Sequence, residues 1–341
     1  MFLQIPRELR DKIYSCLFAS TRITFGERYT SRIATKTMKP APNALAILRT
    51  CRQINQEAGP LWLGHVLFSF ENPEDLLDKL SILPSITLSQ IRHVRTGGRP
   101  LMLQPIGDDD DVYYRLVWAL KLLPGLRLDK LTVLGPSGGE VAYDTLEGLI
   151  KYGNGWRELH FITPNSTMLG FAKMDMFMAD PYWRKPQPST WDGILRQRDG
   201  ANSGASITVY RSTQPDAPGT VTNPCTRQIF EQKLSSPEDL KKFGVTEDKE
   251  LLGGEGKGKE LLVIVKRGRA ANIAEQDRPP YMLEGDIRQW AHGMTWAEIR
   301  RECIDFPLDD DEDDDFRTEE DEEVEVDNYK KVDEYEWSHI N

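Results

Sequence analysis

The sequence predicts an α/β fold whose core is a mainly parallel sheet. Three short runs have the apolar character of strands, at residues 91–94, 130–134 and 158–162. Helical patterns with apolar residues on one face lie between them, at 112–123 and 144–152. Strands that alternate with helices favour a parallel sheet with helical crossovers. We therefore expect a short, irregular strand–helix body.

Two further helices are predicted before this body. Pro6 suits the first turn of a helix because its φ is fixed and it has no N–H group. Asn43 is a candidate cap for the second helix, which Gly59 and Pro60 would end. Each helix has one apolar face, formed by Leu9, Ile13, Cys16 and Leu17 in the first and by Leu45, Leu48, Cys51, Ile54 and Ala58 in the second. Residues 21–40 between them are expected to form a hairpin or a loop.

A strand and two more helices are predicted around the body. Residues 66–70 have the character of a strand, and Asn72 is a candidate cap for a helix that begins at Pro73. The buried face of that helix would consist of Leu76, Leu77 and Leu80. A last helix is expected within residues 284–304.

Residues 180–260 are rich in proline, glycine, serine and threonine. We expect a loop-rich insertion packed on the body, with strand candidates at 206–210 and 261–265. Three aromatic residues, Tyr182, Trp183 and Trp191, lie in this insertion and have arginine and lysine near them in the sequence. That composition is typical of binding hot spots. The favoured alternative is that these aromatic residues anchor the insertion to the core.

Charge is distributed unevenly along the chain. Its 341 residues have a formal net charge of −11, but residues 305–341 contain 18 acidic and 3 basic residues and carry −15. The remainder is therefore slightly basic, at +4. The acidic run 309–315 has no apolar face and its charges repel one another, so we expect residues 305–341 to be a disordered tail. The basic cluster 266–269 is a hypothetical intramolecular partner for this tail.

The composition predicts a protein with no membrane partner. The longest apolar run, 261–265, is far shorter than the roughly 20 residues that span a bilayer. Charged residues interrupt the region where a signal peptide would need an apolar segment. The four cysteines form no CxxC pair, so we expect reduced, buried thiols in the cytoplasm or nucleus. Basic residues are dispersed, which does not favour a nucleic-acid surface.

No catalytic or cofactor motif is complete. Residues 253–259 match the GxxxxGK letters of a phosphate loop, but Glu260 stands where Ser or Thr should ligate magnesium, and a strand is predicted to follow. The five histidines lack the spacing of zinc sites. His93 and His160 occupy equivalent positions of two predicted strands and are expected to be ordinary surface or half-buried residues. Aspartates 108–111 are expected to cap a helix. We therefore expect an interaction protein, not an enzyme, without a cofactor.

The two N-terminal helices resemble a divergent F-box. The resemblance rests on residues 5–14, Ile-Pro-Arg-Glu-Leu-Arg-Asp-Lys-Ile-Tyr, and on 48–58, Leu-Arg-Thr-Cys-Arg-Gln-Ile-Asn-Gln-Glu-Ala. These phrases are similar to those of a large group of filamentous-fungal F-box-like proteins. The predicted strands near residues 91, 131 and 159 look like strand positions of degenerate leucine-rich repeats, although their spacing is unequal.

The F-box resemblance implies docking onto the Skp-type adaptor of a cullin ubiquitin ligase. In that family the Leu-Pro opening and the apolar residues of the next helices contact the adaptor. The matching residues here are Ile5, Pro6, Leu9, Ile13, Leu48, Cys51 and Ile54. The body would then hold a protein substrate, and the chemistry would belong to other subunits of the ligase.

Residues 19–43 separate the two helices, whereas a typical F-box has short links. The alternative is a non-ligase scaffold in which both helices are internal core and the acidic tail binds basic partners. The expected divisions are an F-box-like region at 1–70, a repeat-like body at 71–304 and the disordered tail at 305–341. Exposure of the apolar helix faces would favour docking, and burial would count against it.

Overall fold

The computed structural model describes residues 2–31, 34–104, 112–170, 173–174, 182–183, 187–231, 258–275, 281, 285–303 and 323–338. Its α-helices are α1 (Arg7–Ala19), α2 (Arg52–Ala58), α3 (Pro73–Leu80), α4 (Ser85–Leu88), α5 (Leu116–Leu120), α6 (Gly139–Tyr152), α7 (Thr167–Gly170), α8 (Ser189–Asp199) and α9 (Trp296–Cys303). Its strands are β1 (Arg22–Tyr29), β2 (Thr35–Lys39), β3 (Leu67–Phe70), β4 (His93–Gly97), β5 (Leu101–Leu103), β6 (Val112–Tyr114), β7 (Leu128–Leu134), β8 (Trp156–Thr163), β9 (Lys173–Met174), β10 (Tyr182–Trp183), β11 (Ser206–Pro215), β12 (Arg227–Ile229), β13 (Lys259–Lys266) and β14 (Glu323–Val326).

Ten of these strands form one mixed sheet in the order β12-β11-β13-β8-β7-β4-β3-β1-β2-β14. Strands β1, β3, β4, β7 and β8 are parallel, and each lies beside the one that precedes it in this series. Strands β13, β11 and β12 extend the sheet in antiparallel fashion beyond β8. The predicted α/β class with a mainly parallel sheet is therefore confirmed.

The strands at the centre of the sheet lie where the sequence predicts them. The runs at 91–94, 130–134 and 158–162 fall within or overlap β4, β7 and β8. Successive side chains of a strand point to opposite faces of the sheet. Val94, Leu131 and Leu159 all point to the face that the helices cover, where they are almost completely buried. This face contains the main hydrophobic core.

The opposite face of the sheet carries polar and charged side chains. Arg22 in β1, Arg95 in β4, Lys130 in β7 and His160 in β8 alternate with the core residues of the same strands. We call this surface the open face, because the core helices do not cover it. The side chains on the open face are contacted by other segments of the chain, which are described below.

The helix predicted at 112–123 is shorter than expected. Residues Val112–Tyr114 form β6, which pairs with β5 in a separate two-stranded sheet, and α5 begins only at Leu116. The aromatic and β-branched residues of this segment favour strand over helix, and pairing with β5 decides the outcome. Aspartates 108–111 lie outside the described residues.

The second N-terminal helix also differs from the prediction. Asn43 has a positive φ of 66° and caps no helix. A 3-10 turn covers residues 46–49, and α2 begins at Arg52 with the Cys51 sulfur accepting a hydrogen bond from the Ile54 N–H. The predicted single helix therefore consists of a turn and a helix of seven residues.

Of the two forms predicted for residues 21–40, a hairpin or a loop, the described part shows a hairpin made of β1 and β2. Strands β1 and β2 are antiparallel, and β1 also lies parallel to β3 within the large sheet. The segment that lengthens the link between the F-box-like helices thus belongs to the sheet of the body. It places α1 and α2 on the core side of the strands that follow.

The two strands predicted in and beside the Pro- and Gly-rich insertion are present. Residues 206–210 are the first half of β11 and residues 261–265 lie within β13; these two strands pair with each other, and β13 also pairs with β8. Trp191 in α8 is completely buried in the main core. The anchoring role expected for it is therefore confirmed, whereas the side chains of Tyr182 and Trp183 lie outside the described part. The first five residues of the GxxxxGK match, 253–257, do as well.

The prediction of a disordered tail is wrong for residues 323–338. Strand β14 adds to the edge of the sheet, parallel to β2, and the chain then continues across the open face. The excess of charge suggested disorder, but Tyr335 and Trp337 pack in a small apolar cluster, and the carboxylates of Asp327 and Glu336 are bonded to arginines. We call residues 323–338 the C-terminal strap.

Asp75 is an acidic residue in an unfavourable place within α3. Its Oδ2 is buried and has no hydrogen-bond partner among the described residues. It also fills the space beside Gly26, where an added Cβ would lie 1.9 Å from this oxygen. Burial raises the pKa of Asp75 to about 7.

We expect Asp75→Asn to stabilise the protein at pH 8 and to have little effect at pH 4. In the unfolded chain an aspartate has a pKa near 4. Between about pH 4 and 7 the unfolded state releases a proton that the folded state retains, so the wild-type protein loses stability as the pH rises. The variant escapes this loss and should gain about 1–3 kcal/mol at pH 8. Urea unfolding at both pH values tests this; an equal gain at both would contradict it.

Candidate functional site

The orientation of α1 is determined by polar contacts on its buried side. The Arg10 guanidinium donates to both carboxylate oxygens of Glu57 in α2, at 2.8 and 2.5 Å. The Tyr14 hydroxyl donates to the same carboxylate at 3.1 Å. Hydrogen bonds from Arg10, and then from Gln53, lower the pKa of Glu57 to about 2. With Phe18, which is fully buried, these residues turn one side of α1 toward the core.

The opposite side of α1 is apolar and exposed. Leu9, Ile13 and Leu17 are 49%, 42% and 39% exposed, and Cys16 between them is also exposed. Their spacing places them on one helix face, because residues three and four apart are neighbours on a helix. We call these four residues the α1 face. Singly exposed apolar residues are common, but a row of them along one helix indicates an interaction surface.

The other residues matched to the F-box are distributed differently. Ile5 and Leu48 are half-buried, and Pro6 is exposed immediately before α1. Cys51 is exposed and caps α2, whereas Ile54 is buried in the main core. The structure therefore brings Leu9 and Ile13 together on a free surface and assigns Ile54 to internal packing.

The cysteines also differ from the expectation of buried thiols. All four are free, and only Cys303 is buried, while Cys16, Cys51 and Cys225 are exposed. For Cys16 the reason is the rotation of α1 by the contacts of Arg10 and Tyr14. For Cys51 it is the position at the exposed start of α2.

The C-terminal strap is held by a buried ion pair with β1. Arg22 donates two hydrogen bonds to the Asp327 carboxylate, one of them 2.6 Å long, and Thr24 donates a third. Both charged side chains are only 4% exposed. Burial alone would raise the pKa of Asp327, but the bonds from Arg22 and Thr24 hold it below its usual range. The guanidinium of Arg22 also lies over the Tyr329 ring, 4.3 Å from its centroid.

The second half of the strap is held by a buried carboxylate in β13. Glu260 accepts hydrogen bonds from the Tyr335 hydroxyl at 3.0 Å and from the Trp337 indole at 3.1 Å. It also accepts from the backbone N–H groups of Gly219 and Val221. Glu260 stands where a phosphate loop would have Ser or Thr. It joins the strap to the loop that follows β11.

The cationic partners of the described strap residues are not the predicted ones. Arg22 bonds to Asp327 and Arg28 bonds to Glu336, at 2.9 Å in the second case. In the predicted basic cluster, Arg267 instead forms a buried ion pair with Asp199 at the end of α8. Residues 323–338 thus contact the rest of the chain, as the hypothesis of an intramolecular contact requires. The contact is made by the open face and not by the basic cluster 266–269.

A pocket lies beside the strap, where the parallel strands end. It has a volume of about 340 Å³ and is bordered by the residues that follow β3, β4, β7 and β8. Its charged lining consists of three arginines, Arg28, Arg95 and Arg99, and three glutamates, Glu27, Glu71 and Glu336. Polar groups come from Ser137 and Asn165, and the aromatic lining is formed by Tyr29, Tyr335 and Trp337. We call it the strand-end pocket. An added Cβ at Gly97 would lie 2.3 Å from the Glu71 carbonyl oxygen, so only glycine fits here.

A smaller cavity of about 220 Å³ lies on the open face at the other side of the strap. Both His93 and His160 line it, together with His65 and Lys130. Burial lowers the pKa of His93 and of His160, so it favours the neutral form of both rings. Both are half-buried, as expected. His93 lies level with Lys130, and His160 with Thr132, so the two rings are not at equivalent positions.

The part of the chain that the structure describes contains neither a metal-binding cluster nor a membrane-spanning helix. Within the described ranges no cluster of three or more His, Cys, Asp or Glu residues could hold a metal ion. In the same part of the chain no helix has the length and apolar character needed to cross a bilayer. Compared with known proteins, the chain matches no model of a protein family, no curated sequence and no solved structure.

Proposed function

We propose that this chain is a protein–protein interaction adaptor and that the α1 face is its docking surface. The observation that carries this proposal is the exposure of Leu9, Ile13 and Leu17 along one side of a helix whose other side is fixed by Arg10 and Tyr14. An apolar helix face fits a hydrophobic groove of a partner, with anchors at helical spacing. Burying three such side chains would supply several kcal/mol of binding free energy.

We further propose that the partner is the Skp-type adaptor of a cullin ubiquitin ligase. The F-box resemblance of residues 5–14 and 48–58 supports this choice. Of the residues matched to the F-box, Leu9 and Ile13 lie on the α1 face, and we add Leu17 to them as a docking residue. Ile54 is excluded because it is buried and cannot contact a partner. Chemistry would be carried out by the other ligase subunits.

In this proposal the sheet body holds the protein substrate. Successive parallel strands with their helices on one side resemble a short leucine-rich-repeat-like unit, whose uncovered strand face is free to bind. The C-terminal strap covers part of that face here. Substrate contacts would then fall on the part beyond the strap.

The proposal is tested by binding of the full-length protein to a purified Skp-type adaptor. We expect the double variant Leu9→Glu, Ile13→Glu to lose at least about tenfold in affinity. In this variant, each of two apolar side chains that the complex would bury is replaced by a charge. Its stability should change by less than about 0.5 kcal/mol per site, because both positions are on the surface. Circular dichroism and thermal unfolding monitor this.

A matched control is available at Ile82, which is 75% exposed on a different part of the molecule. Ile82→Glu should leave adaptor binding unchanged. If the folded wild-type protein does not bind the adaptor, the ligase proposal is wrong. Salt-sensitive binding of a basic protein by the same sample would then favour the scaffold alternative, in which the acidic residues are the binding element.

A further inference from the structure

The strand-end pocket has the position and size of a small-molecule site. In open sheets of parallel strands, ligands bind in the crevice outside the carboxyl ends of the strands. Strands β3, β4, β7 and β8 are parallel, and the loops that follow them border the pocket. Its volume of about 340 Å³ falls within the usual range for ligand pockets.

Arg95 is the unusual residue of this pocket. It is only 5% exposed. Its Nε donates to the Ser69 hydroxyl at 3.1 Å, and its Nη1 donates to the carbonyl oxygen of Glu334 at 3.1 Å. Nη1 also lies 3.5 Å from the Val332 carbonyl oxygen, and the guanidinium carbon lies 6.0 Å from the centroid of the Tyr335 ring. Among the described residues no carboxylate forms an ion pair with Arg95. Buried charges in proteins are normally paired, so this one requires a reason.

Three carboxylates line the pocket, those of Glu27, Glu71 and Glu336, and none of them forms an ion pair with Arg95. Glu336 is bonded to Arg28 and is largely exposed. Glu71 is bonded to Arg28, and Asp327 is bonded to Arg22. Asp333 acts on Arg95 only at longer range and is itself exposed. Burial, and then repulsion from Arg22, lower the pKa of Arg95 to about 10, so the guanidinium still carries its charge at neutral pH. A buried cation without a counter-charge is costly, and an anion in the pocket would remove that cost.

We propose that the strand-end pocket binds a small organic anion whose carboxylate or phosphate group accepts hydrogen bonds from Arg95. Arg99, which lies over the Tyr29 ring with 5.2 Å between the guanidinium carbon and the centroid, adds a second positive charge at the rim. Ser137 and Asn165 also line the pocket, and the Asn165 side chain is held in place because it donates a hydrogen bond to the Ser137 carbonyl oxygen and accepts one from the Thr167 N–H. Tyr335 and Trp337 form an aromatic wall suited to a planar or apolar group attached to the anion.

The experiment measures binding of inorganic phosphate and of benzoate to the full-length protein by calorimetry and by thermal unfolding. Sodium chloride at the same ionic strength serves as the reference, because salt alone screens charges. We expect a saturable rise in Tm with at least one of the two anions. Phosphate alone would identify a phosphate-bearing ligand, and benzoate alone a carboxylate.

Two variants connect the binding to the pocket. Arg95→Gln should weaken it about tenfold or more, because charge-assisted hydrogen bonds are the strong ones. Ser137→Asp adds a negative charge to the lining of the pocket, and it should weaken binding to a similar extent; thermal unfolding without anion checks that the variant is folded. Arg92→Gln changes an arginine that immediately precedes β4 and lies outside the pocket, and this variant should bind as the wild type does.

Clear results would overturn this proposal. One is the absence of saturable binding of either anion to the folded wild-type protein. The other is binding to Ser137→Asp that equals wild-type binding. The second variant keeps the test decisive even if Arg95→Gln fails to fold. Neither result bears on docking by the α1 face, which lies elsewhere on the chain.

Discussion

Replacing Asp327 with alanine is expected to detach the C-terminal strap from the open face, at a cost of about 3 kcal/mol in docking free energy. The variant leaves the Arg22 guanidinium buried without its carboxylate partner, and an uncompensated buried charge is strongly destabilising. Hydrogen–deuterium exchange of residues 323–338 should rise well above that of the wild type. The strand β14 should exchange fastest, because it has a single neighbour in the sheet.

Two control variants distinguish the ion pair from general charge effects. Asp333→Ala removes the same charge from an exposed position of the strap, and exchange should stay at the wild-type level. The double variant Arg22→Met, Asp327→Leu replaces both charges by apolar groups and should recover much of the lost docking. Unchanged protection in Asp327→Ala would contradict the assigned role of the pair.

The same ion pair predicts a pH dependence for docking of the strap. The hydrogen bonds from Arg22 and Thr24 lower the pKa of Asp327 in the folded protein. Its contribution is therefore complete above about pH 4 and is lost as the pH falls through the lowered value. In Asp327→Ala this acid-dependent loss should be smaller.

Replacing Trp156 with alanine is expected to lower the free energy of unfolding by about 3–5 kcal/mol. Trp156 begins β8 and is completely buried in the main core, so its removal leaves a large cavity. The guanidinium of Arg267 also lies over its ring, 5.5 Å from the centroid. That arginine bonds to Asp199, so the end of α8 would lose support as well. Urea unfolding followed by circular dichroism measures the change.

Trp290 is a matched control for this substitution. It is 41% exposed and donates one hydrogen bond to the Tyr114 hydroxyl at 2.7 Å. Trp290→Ala removes a side chain of the same size, but 41% of its area is already in contact with water, whereas that of Trp156 is completely buried. Its cost should be clearly smaller, and equal costs for the two variants would mean that burial of Trp156 is not what stabilises β8.

The sheet could be predicted from the sequence because its signals are local. Each central strand is a short run of apolar residues, and helix α3 begins as expected, with Asn72 accepting a hydrogen bond from the Asp75 N–H. Such patterns depend on residues within one or two turns of one another. The neighbouring strands follow from the alternation of strand and helix along the chain.

The orientation of α1 could not be predicted from its apolar pattern. Leu9, Ile13 and Leu17 have the spacing of a buried face, yet Arg10 and Tyr14 occupy the core side. The deciding partner is Glu57, which is 47 positions away from Arg10. A buried ion pair between two helices leaves no mark in the hydrophobic periodicity of either one.

The ordered C-terminal strap could not be predicted, because the acidic residues around it indicate disorder. Residues 305–341 contain 18 acidic residues, and this excess outweighs the few apolar residues that make the contacts. Two signals were present in the sequence: the alternation of Glu323, Val324, Glu325 and Val326, and the aromatic pair Tyr335 and Trp337. Their acceptors and cations lie near residues 22, 95 and 260, at distances along the chain that no local pattern can register.

The pairing of β14 with β2 has a consequence for the order in which the molecule is assembled. The two strands are separated by almost the whole chain, and their contact closes the far edge of the sheet. During synthesis the first hairpin leaves the ribosome long before its neighbour exists. Its edge and the guanidinium of Arg22 stay uncovered for that interval, when unpaired strand edges are prone to aggregate. Closing so long a loop is slow, so completion of this edge is expected to be the last step of folding.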